Sequence, residues 1–162
     1  MNESQQSLGV EQIVSGGQTG VDRAGLDAAM LMGLEHGGWC PRGRLAEDGR
    51  IPLEYRLKET RSADYPVRTE QNVIDSDATL ILCRGRLFGG TDLTCRLATK
   101  HARPLLVVDL QGKPSTSQVR RWLSRHEVRV LNVAGPRESS ANGIRDQALE
   151  FLCRVFAPVP VE

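Results

Sequence analysis

The feature that most constrains this chain is a repeated change of period, in which a short apolar run breaks into a polar or glycine turn and the apolar residues resume at helical spacing. Gln12-Ile-Val-Ser15 ends at Gly16-Gly17, after which Leu26, Ala29, Met30 and Leu34 fall at i, i+3, i+4 and i+8, the stripe of a helix lying on a sheet. Ala78-Thr-Leu-Ile-Leu-Cys83 is continuously apolar, as suits a strand buried on both faces of a parallel sheet. It runs into Gly89-Gly90 and a helix through Leu93, Leu97 and Ala98 that must stop before Pro104. Leu105–Leu110 and Val128–Val133 read as further strands. Between them Ser115 or Ser117 caps a helix carrying Val119, Trp122 and Leu123 on one face. A last helix places Ile144, Ala148, Phe151, Leu152, Val155 and Phe156 on one stripe and ends before Pro158. Strands alternating with helices imply parallel βαβ units with right-handed crossovers. The expected class is α/β, a mainly parallel sheet of about five or more strands with helices on both faces.

A chain of 162 residues is one domain by size. We expect a frayed start over 1–9 and a single ligand-binding domain over 10–158. A net charge of +1 is too balanced for a protein working on nucleic acid or an anionic membrane, so neither partner is expected. The basic side chains are mostly arginine, the better bidentate clamp for phosphate or carboxylate. Cys40, Cys83, Cys95 and Cys153 form no C-x-x-C pair and precede no His at metal spacing, so neither zinc nor any other metal site is expected. The polar start and the lack of a long apolar run predict a cytoplasmic, reduced protein.

Right-handed crossovers bring every strand-to-helix loop to one sheet edge, where open α/β sheets bind ligands. Those loops are Gly16 to Arg23, Trp39 to Arg44, Arg84 to Thr91 and Asn132 to Glu138, rich in amides, hydroxyls and arginine. Paired glycines let backbone N–H groups crowd an anion, and a following helix adds its first-turn amides, so Gly16-Gly17 and Gly89-Gly90-Thr91 are expected to hold phosphate. Asp22 either caps the first helix or faces a ligand hydroxyl or amino group. Trp39 either stacks on a flat ligand or joins the core. Arg42 and Arg44 are placed to reach an anion, and Asn72 is the expected ligand contact on a short helix, Arg68 to Asp77, capped near Thr69. The stretch from Arg42 to Pro66 has little periodicity and reads as a lid or an oligomer contact. Gly16-Gly-Gln-Thr-Gly20 matches neither the dinucleotide fingerprint nor a Walker loop, and no nucleophile elbow or zincin motif is present. Asp22, Asp92 and Glu138 are the only carboxylates in these loops.

Five ordered motifs carry a resemblance: Gly-Gly-Gln-Thr-Gly-Val-Asp-Arg-Ala-Gly-Leu-Asp from Gly16, Gly-Gly-Trp-Cys-Pro-Arg-Gly-Arg-Leu-Ala-Glu-Asp-Gly from Gly37, Arg-Thr-Glu-Gln-Asn-Val from Arg68, Gly-Gly-Thr-Asp-Leu-Thr from Gly89, and Leu-Asn-Val-Ala-Gly-Pro-Arg-Glu-Ser from Leu131. Together they resemble the putative molybdenum carrier family, which is similar to molybdenum cofactor carriers. That family sits in a Rossmann-like group with lysine-decarboxylase-like phosphoribohydrolases and DprA-type proteins. The resemblance implies a single Rossmann-like domain that binds and protects a phosphorylated small molecule, molybdenum cofactor (molybdopterin), for a molybdoenzyme recipient. It implies a homo-oligomer, dimer or tetramer, and a carrier needing no catalytic base. A nucleotide or ADP-ribose module, or a nucleoside monophosphate phosphoribohydrolase, are the alternatives. Family motifs fall on Gly16, Gly17, Gln18, Thr19, Gly20, Asp22 and Arg23. They fall next on Arg68, Asn72, Gly89, Gly90 and Thr91, and last on Gly135, Pro136, Arg137 and Glu138. Where the related hydrolases place a Glu just after Gly-Thr, this chain has Asp92 and Leu93, so a hydrolase here would have to rely on Asp92 and Glu138.

Overall fold

The structure, a computed structural model, describes residues 8–158. Residues 1–7 of the expected frayed start lie outside the described residues. The central strands are β1 (Gln12–Val14), β2 (Glu35–Gly37), β7 (Ala78–Cys83), β8 (Leu105–Asp109) and β9 (Val130–Ala134), with β3 to β6 lying between β2 and β7 in the chain. They form one five-stranded sheet in the order β2-β1-β9-β7-β8, every pairing parallel. Numbered from β9 as the first strand, that order becomes 3-2-1-4-5, the doubly wound arrangement with its first βα unit moved to the end of the chain. The strand order therefore reverses between β9 and β7, and a crevice opens there.

Helices cover both faces. On one face α1 (Val21–Leu31) packs on α5 (Ile144–Phe156), which packs on α4 (Thr116–Arg125); on the other α2 (Tyr65–Ile74) packs on α3 (Gly89–Lys100). The larger core joins Ile13, Leu80, Leu82, Leu131 and Val133 of the strands to Ala24, Ala28, Val119, Leu123, Phe151 and Leu152 of the helices. Removing a large apolar side chain of this kind from water stabilises by roughly 1.5–3 kcal/mol. Val73, Leu97 and Ala98 seal the opposite face. Ser115 caps α4, accepting the Gln118 N–H at 3.1 Å, and Trp122 is core, as expected.

Local expectations change at α1, at the end of β2 and at α2. The α1 stripe is one turn shorter than predicted: the helix stops at Leu31, Met30 is 41% exposed, and Ala24 and Ala28 face the core instead. The expected loop from Trp39 starts as a strand instead: β2 ends at Gly37, where Gly38 sits at φ 120 with no side chain, so the backbone can pass where a Cβ would lie 2.4 Å from the Ser15 carbonyl oxygen. Beyond it β3 (Trp39–Cys40) leaves the central sheet to pair with β6 (Lys58–Glu59). Helix α2 starts at Tyr65, preceded by Asp64 at the cap position, and Thr69 is a second-turn residue whose hydroxyl donates to the Tyr65 carbonyl at 3.0 Å.

The segment from Arg42 to Pro66 is ordered, with a hairpin of β4 (Leu45–Ala46) and β5 (Gly49–Arg50), then β6. Strands of two residues leave no periodicity to read. The segment has its own small core, Ile51 and Tyr55 against Cys40 and Leu26. Arg44, 6% exposed, serves as its hub: the guanidinium donates to the carbonyls of Tyr55 at 2.8 Å, Pro52 at 2.9 Å, Ile51 at 3.2 Å and Leu57 at 3.4 Å.

Candidate functional site

A cavity of about 580 Å³ opens at the carboxyl ends of β9 and β7, at the strand-order reversal. That is the position at which doubly wound sheets hold ligands, and the volume lies in the range of small-molecule sites. Gln18 lines it from the turn after β1, Asp22 from the first turn of α1, Tyr65, Arg68 and Thr69 from α2, Phe88 to Thr91 from the start of α3, and Ala134 to Arg137 from the turn after β9.

The turn after β1 is closed upon itself. The Gly17 N–H donates to Ser15 Oγ at 3.4 Å, the Gln18 N–H to Asp22 Oδ2 at 3.3 Å and the Thr19 N–H to Gln18 Oε1 at 3.0 Å. The first helical amide of α1, that of Val21, donates to the Pro136 carbonyl at 3.2 Å. Gly17 sits at φ 78, where a Cβ would lie 2.6 Å from Leu57 Cδ1, so its bare face is turned to the 42–66 segment. Gly16 is covered by Arg68, whose Nη1 would lie 2.0 Å from a Cβ there. Gly20, at φ 81, and Gly135 permit close crossings: a Cβ would lie 2.3 Å from the Pro136 carbonyl oxygen at the first and 2.2 Å from that of Leu82 at the second. These glycines assemble the loops, and the amides of Gly17, Gln18 and Thr19 are already used.

The start of α3 is different. The N–H groups of Gly89, Gly90 and Thr91 donate to no group of the chain among the described residues, and a Cβ at Gly89 or Gly90 would meet nothing within 4 Å. Free amides at the positive end of a twelve-residue helix face open space at the cavity.

Cations gather around the same opening. Arg68 lies over the Tyr65 ring at 5.4 Å and Arg137 at 5.8 Å, so one aromatic ring carries two guanidinium groups. The Arg68 side chain is 12% exposed, yet its Nε has no partner and its ionic contact, Nη1 to Asp22 Oδ2, is long at 3.5 Å. Gln18, 6% exposed, has its Oε1 fixed by the Thr19 and Glu47 N–H groups while its Nε2 has no partner. Buried donors of this kind are costly when unpaired, by roughly 1–3 kcal/mol each. Asp22 is the one carboxylate that lines the cavity. Burial lifts its carboxyl above the ordinary value, against the opposing pull of Arg68, the Gln18 amide, Arg23 and Arg137.

Other expected site residues are engaged in holding the loops. Arg23 clamps Asp48 with two hydrogen bonds, at 2.5 and 2.8 Å, and donates to the Gly17 carbonyl at 3.1 Å. Glu47 accepts from the Thr19 hydroxyl, from the Ser139 N–H at 3.1 Å and from Ser139 Oγ at 2.5 Å. Burial alone would raise the Glu47 carboxyl, but these hydrogen bonds outweigh it and hold the group below its ordinary range. No residue of 42–64 lines the cavity, so this segment is a buttress behind the first loop and forms no cover over the opening. Arg44 is spent within it on the carbonyls of Ile51, Pro52, Tyr55 and Leu57. Trp39 stands off the cavity, with its indole N–H on Asp75 Oδ2 at 2.8 Å and Lys58 over its ring. Asn72 lies beneath, exchanging hydrogen bonds with the Trp39 backbone at 2.7 and 2.9 Å. Asp92 pairs with Arg96 on the α3 surface, and Glu138 caps α5 through the Gly143 and Arg145 N–H groups at 2.6 and 3.0 Å. Neither lines the cavity, so the two carboxylates a hydrolase would need are not brought together there.

Sequence reasoning missed Tyr65 and Phe88. Phe88, 56% exposed, stands at the rim immediately before the glycine pair, and a large aromatic residue inside a glycine turn is the signal that was available. Among the described residues no cluster of His, Cys, Asp or Glu gathers to hold a metal ion, and no helix is long and apolar enough to cross a membrane.

The chain is similar to a solved structure, the crystal structure of a "Putative molybdenum carrier protein" from Syntrophus aciditrophicus SB, with 43% sequence identity and a TM-score of 0.88. The match covers 92% of this chain and 96% of that one. No curated protein matches. The family model described as "Circularly permutated YpsA SLOG family" matches residues 13–156, and its permutation agrees with a sheet that regains the order 3-2-1-4-5 when β9 is counted first. On that match, and on a fold shared with a relative 43% identical, the chain belongs to the circularly permutated YpsA SLOG family.

Proposed function

We propose that this protein is a carrier that binds a phosphorylated, flat small molecule in the cavity between β9 and β7, with molybdenum cofactor as the cargo. One observation carries the reading: the α3 amides face the cavity without partners, Arg68 and Arg137 line it beside them, and its single lining carboxylate, Asp22, already accepts the Gln18 N–H. Such a wall suits an anion with further acceptor atoms. In this reading a phosphate sits at Gly89-Gly90-Thr91, and Tyr65 and Phe88 offer ring faces to a pterin. The description of the solved relative as a "Putative molybdenum carrier protein" supports a cargo that contains molybdenum. A carrier of this kind would hand its cargo to a molybdoenzyme.

A second reading, a nucleotide or ADP-ribose module, is favoured by the strand order, which is that of dinucleotide-binding sheets. Isothermal titration of the purified protein with molybdopterin, AMP and ADP-ribose separates the two. The carrier reading expects saturable binding of molybdopterin, slower oxidation of the bound pterin and no turnover. Binding of AMP or ADP-ribose alone would replace it with the second reading.

A further inference from the structure

Arg68 and Asp22 form an incomplete pair. Asp22 is buried and Arg68 partly so, their contact is at the outer limit for an ion pair, and the Arg68 guanidinium rests on the bare backbone of Gly16 with its Nε unpartnered. A guanidinium has five donors, and this one has a single long contact to a carboxylate. A bound oxyanion in the adjoining cavity would offer it two oxygens in fork geometry. Asp22 could not follow. Its Oδ2 also accepts the Gln18 N–H, and its place in the first turn of α1 fixes it.

We propose that Arg68 is a shared cation, held by Asp22 in the free protein and passed to an oxyanion of the bound molecule, so that each binding event makes Asp22 take up one proton. This rests on the anion-binding reading above and adds its regulation: the bound anion is held more tightly as pH falls. The groups facing Asp22 decide the outcome. From α2 comes Arg68, from α1 Arg23, from the turn after β9 Arg137, and from the turn after β1 the Gln18 N–H. Arg23 is already neutralised by its two bonds to Asp48, and Arg137 faces the same cavity and is drawn to the same anion. Once Arg68 turns away, one backbone N–H remains as a direct partner of a carboxylate that is 4% exposed. An ionised group so placed is expensive, and protonation removes the charge. In the small cavity beside it, about 10 Å³, Arg68 is the one cation, and the other polar side chains, Thr69, Asn72, Thr94 and Asn132, are neutral.

The test uses sulfate, whose own charge is constant across the working range, titrated into the full-length protein from pH 5 to pH 8. The expected result is an affinity that falls with rising pH by up to tenfold per unit, the slope of one proton, and an Asp22→Asn variant whose affinity is flat and matches the wild type at low pH. Sulfate that binds the wild type with no pH dependence overturns the exchange and leaves the anion site standing; sulfate that does not bind overturns both. A second readout needs no ligand. The ¹³C carboxyl shift of Asp22 should titrate at higher pH in Arg68→Met than in the wild type, and an unchanged midpoint would defeat the proposal.

Discussion

Replacing Arg44 by Met removes the hub of the 42–66 segment while keeping the length of its stem. Four carbonyls lose a donor, two of them at good distance, those of Tyr55 at 2.8 Å and Pro52 at 2.9 Å. A hydrogen bond to a charged group contributes about 1.5–3 kcal/mol, so the two good bonds together are worth roughly 3–6 kcal/mol. Two effects reduce this. Burying a guanidinium whose four hydrogen bonds all go to carbonyls is itself costly, and carbonyls close to the surface regain water. A net loss of about 3 kcal/mol remains, which for a domain of this size lowers the melting midpoint by roughly 6–12 °C. The loss should be local first. Hydrogen exchange followed by mass spectrometry should show faster exchange across 44–59 and then across the Gln18–Thr19 turn that Glu47 holds, with β7 and β9 protected as before. A variant that melts within about 1 kcal/mol of the wild type, with unchanged exchange in 44–59, would refute the assignment of Arg44 as a structural hub.

Three further outcomes follow from the same geometry. Gly90→Val puts a side chain into open space at the cavity in the first turn of α3, so urea melts should show stability retained within about 1 kcal/mol while titration calorimetry shows ligand binding lost; Gly17→Val, strained at φ 78 and pressed on Leu57, should lose stability as well. Tyr55 donates to Asp27 Oδ1 at 2.8 Å, and burial followed by that bond raises its phenol from 10.0 to about 12. Because the folded value is the higher one, this contribution is intact below pH 10 and is lost as pH rises towards 12, so chemical denaturation at pH 9 and pH 11 should show an alkaline loss that Tyr55→Phe lacks. Asp22 is also raised by folding, from 3.8, so its ionised form opposes folding above about pH 4. Asp22→Asn should therefore melt higher than the wild type at pH 7 and approach it near pH 3.5, as expected where a site retains a costly charge for function.

The elements that set the fold were readable because they bury continuous or evenly spaced apolar faces. Ala78 to Cys83 is buried at every position, and the predicted α5 stripe is buried at Ile144, Ala148, Phe151, Leu152 and Val155, with Phe156 partly buried at its end. The region between β2 and α2 was unreadable for the opposite reason: its strands are two residues long and its hub is an arginine, which sequence logic assigns to surface or ligand. Arg44 in the core of that segment, Arg23 on Asp48 and Asn72 on the Trp39 backbone are polar residues of types that serve ligands equally well, and residue type cannot tell the two uses apart. The two glycine pairs show the same limit. Both break a strand from a helix, yet Gly16-Gly17 carries the packing of Arg68 and Leu57, while Gly89-Gly90 faces open space. The distinction depends on what tertiary neighbours bring to the turn.

In the carrier reading the bound molecule lies in the crevice between β9 and β7. A crystal structure of the protein with molybdopterin or a phosphorylated analogue tests it most directly. The expected result is density in the 580 Å³ cavity, with an anionic group within hydrogen-bond reach of the Gly90 and Thr91 amides and of Arg68 or Arg137. Density on the far side of the first loop, beside Arg23 and Asp48, with this cavity empty, would contradict it.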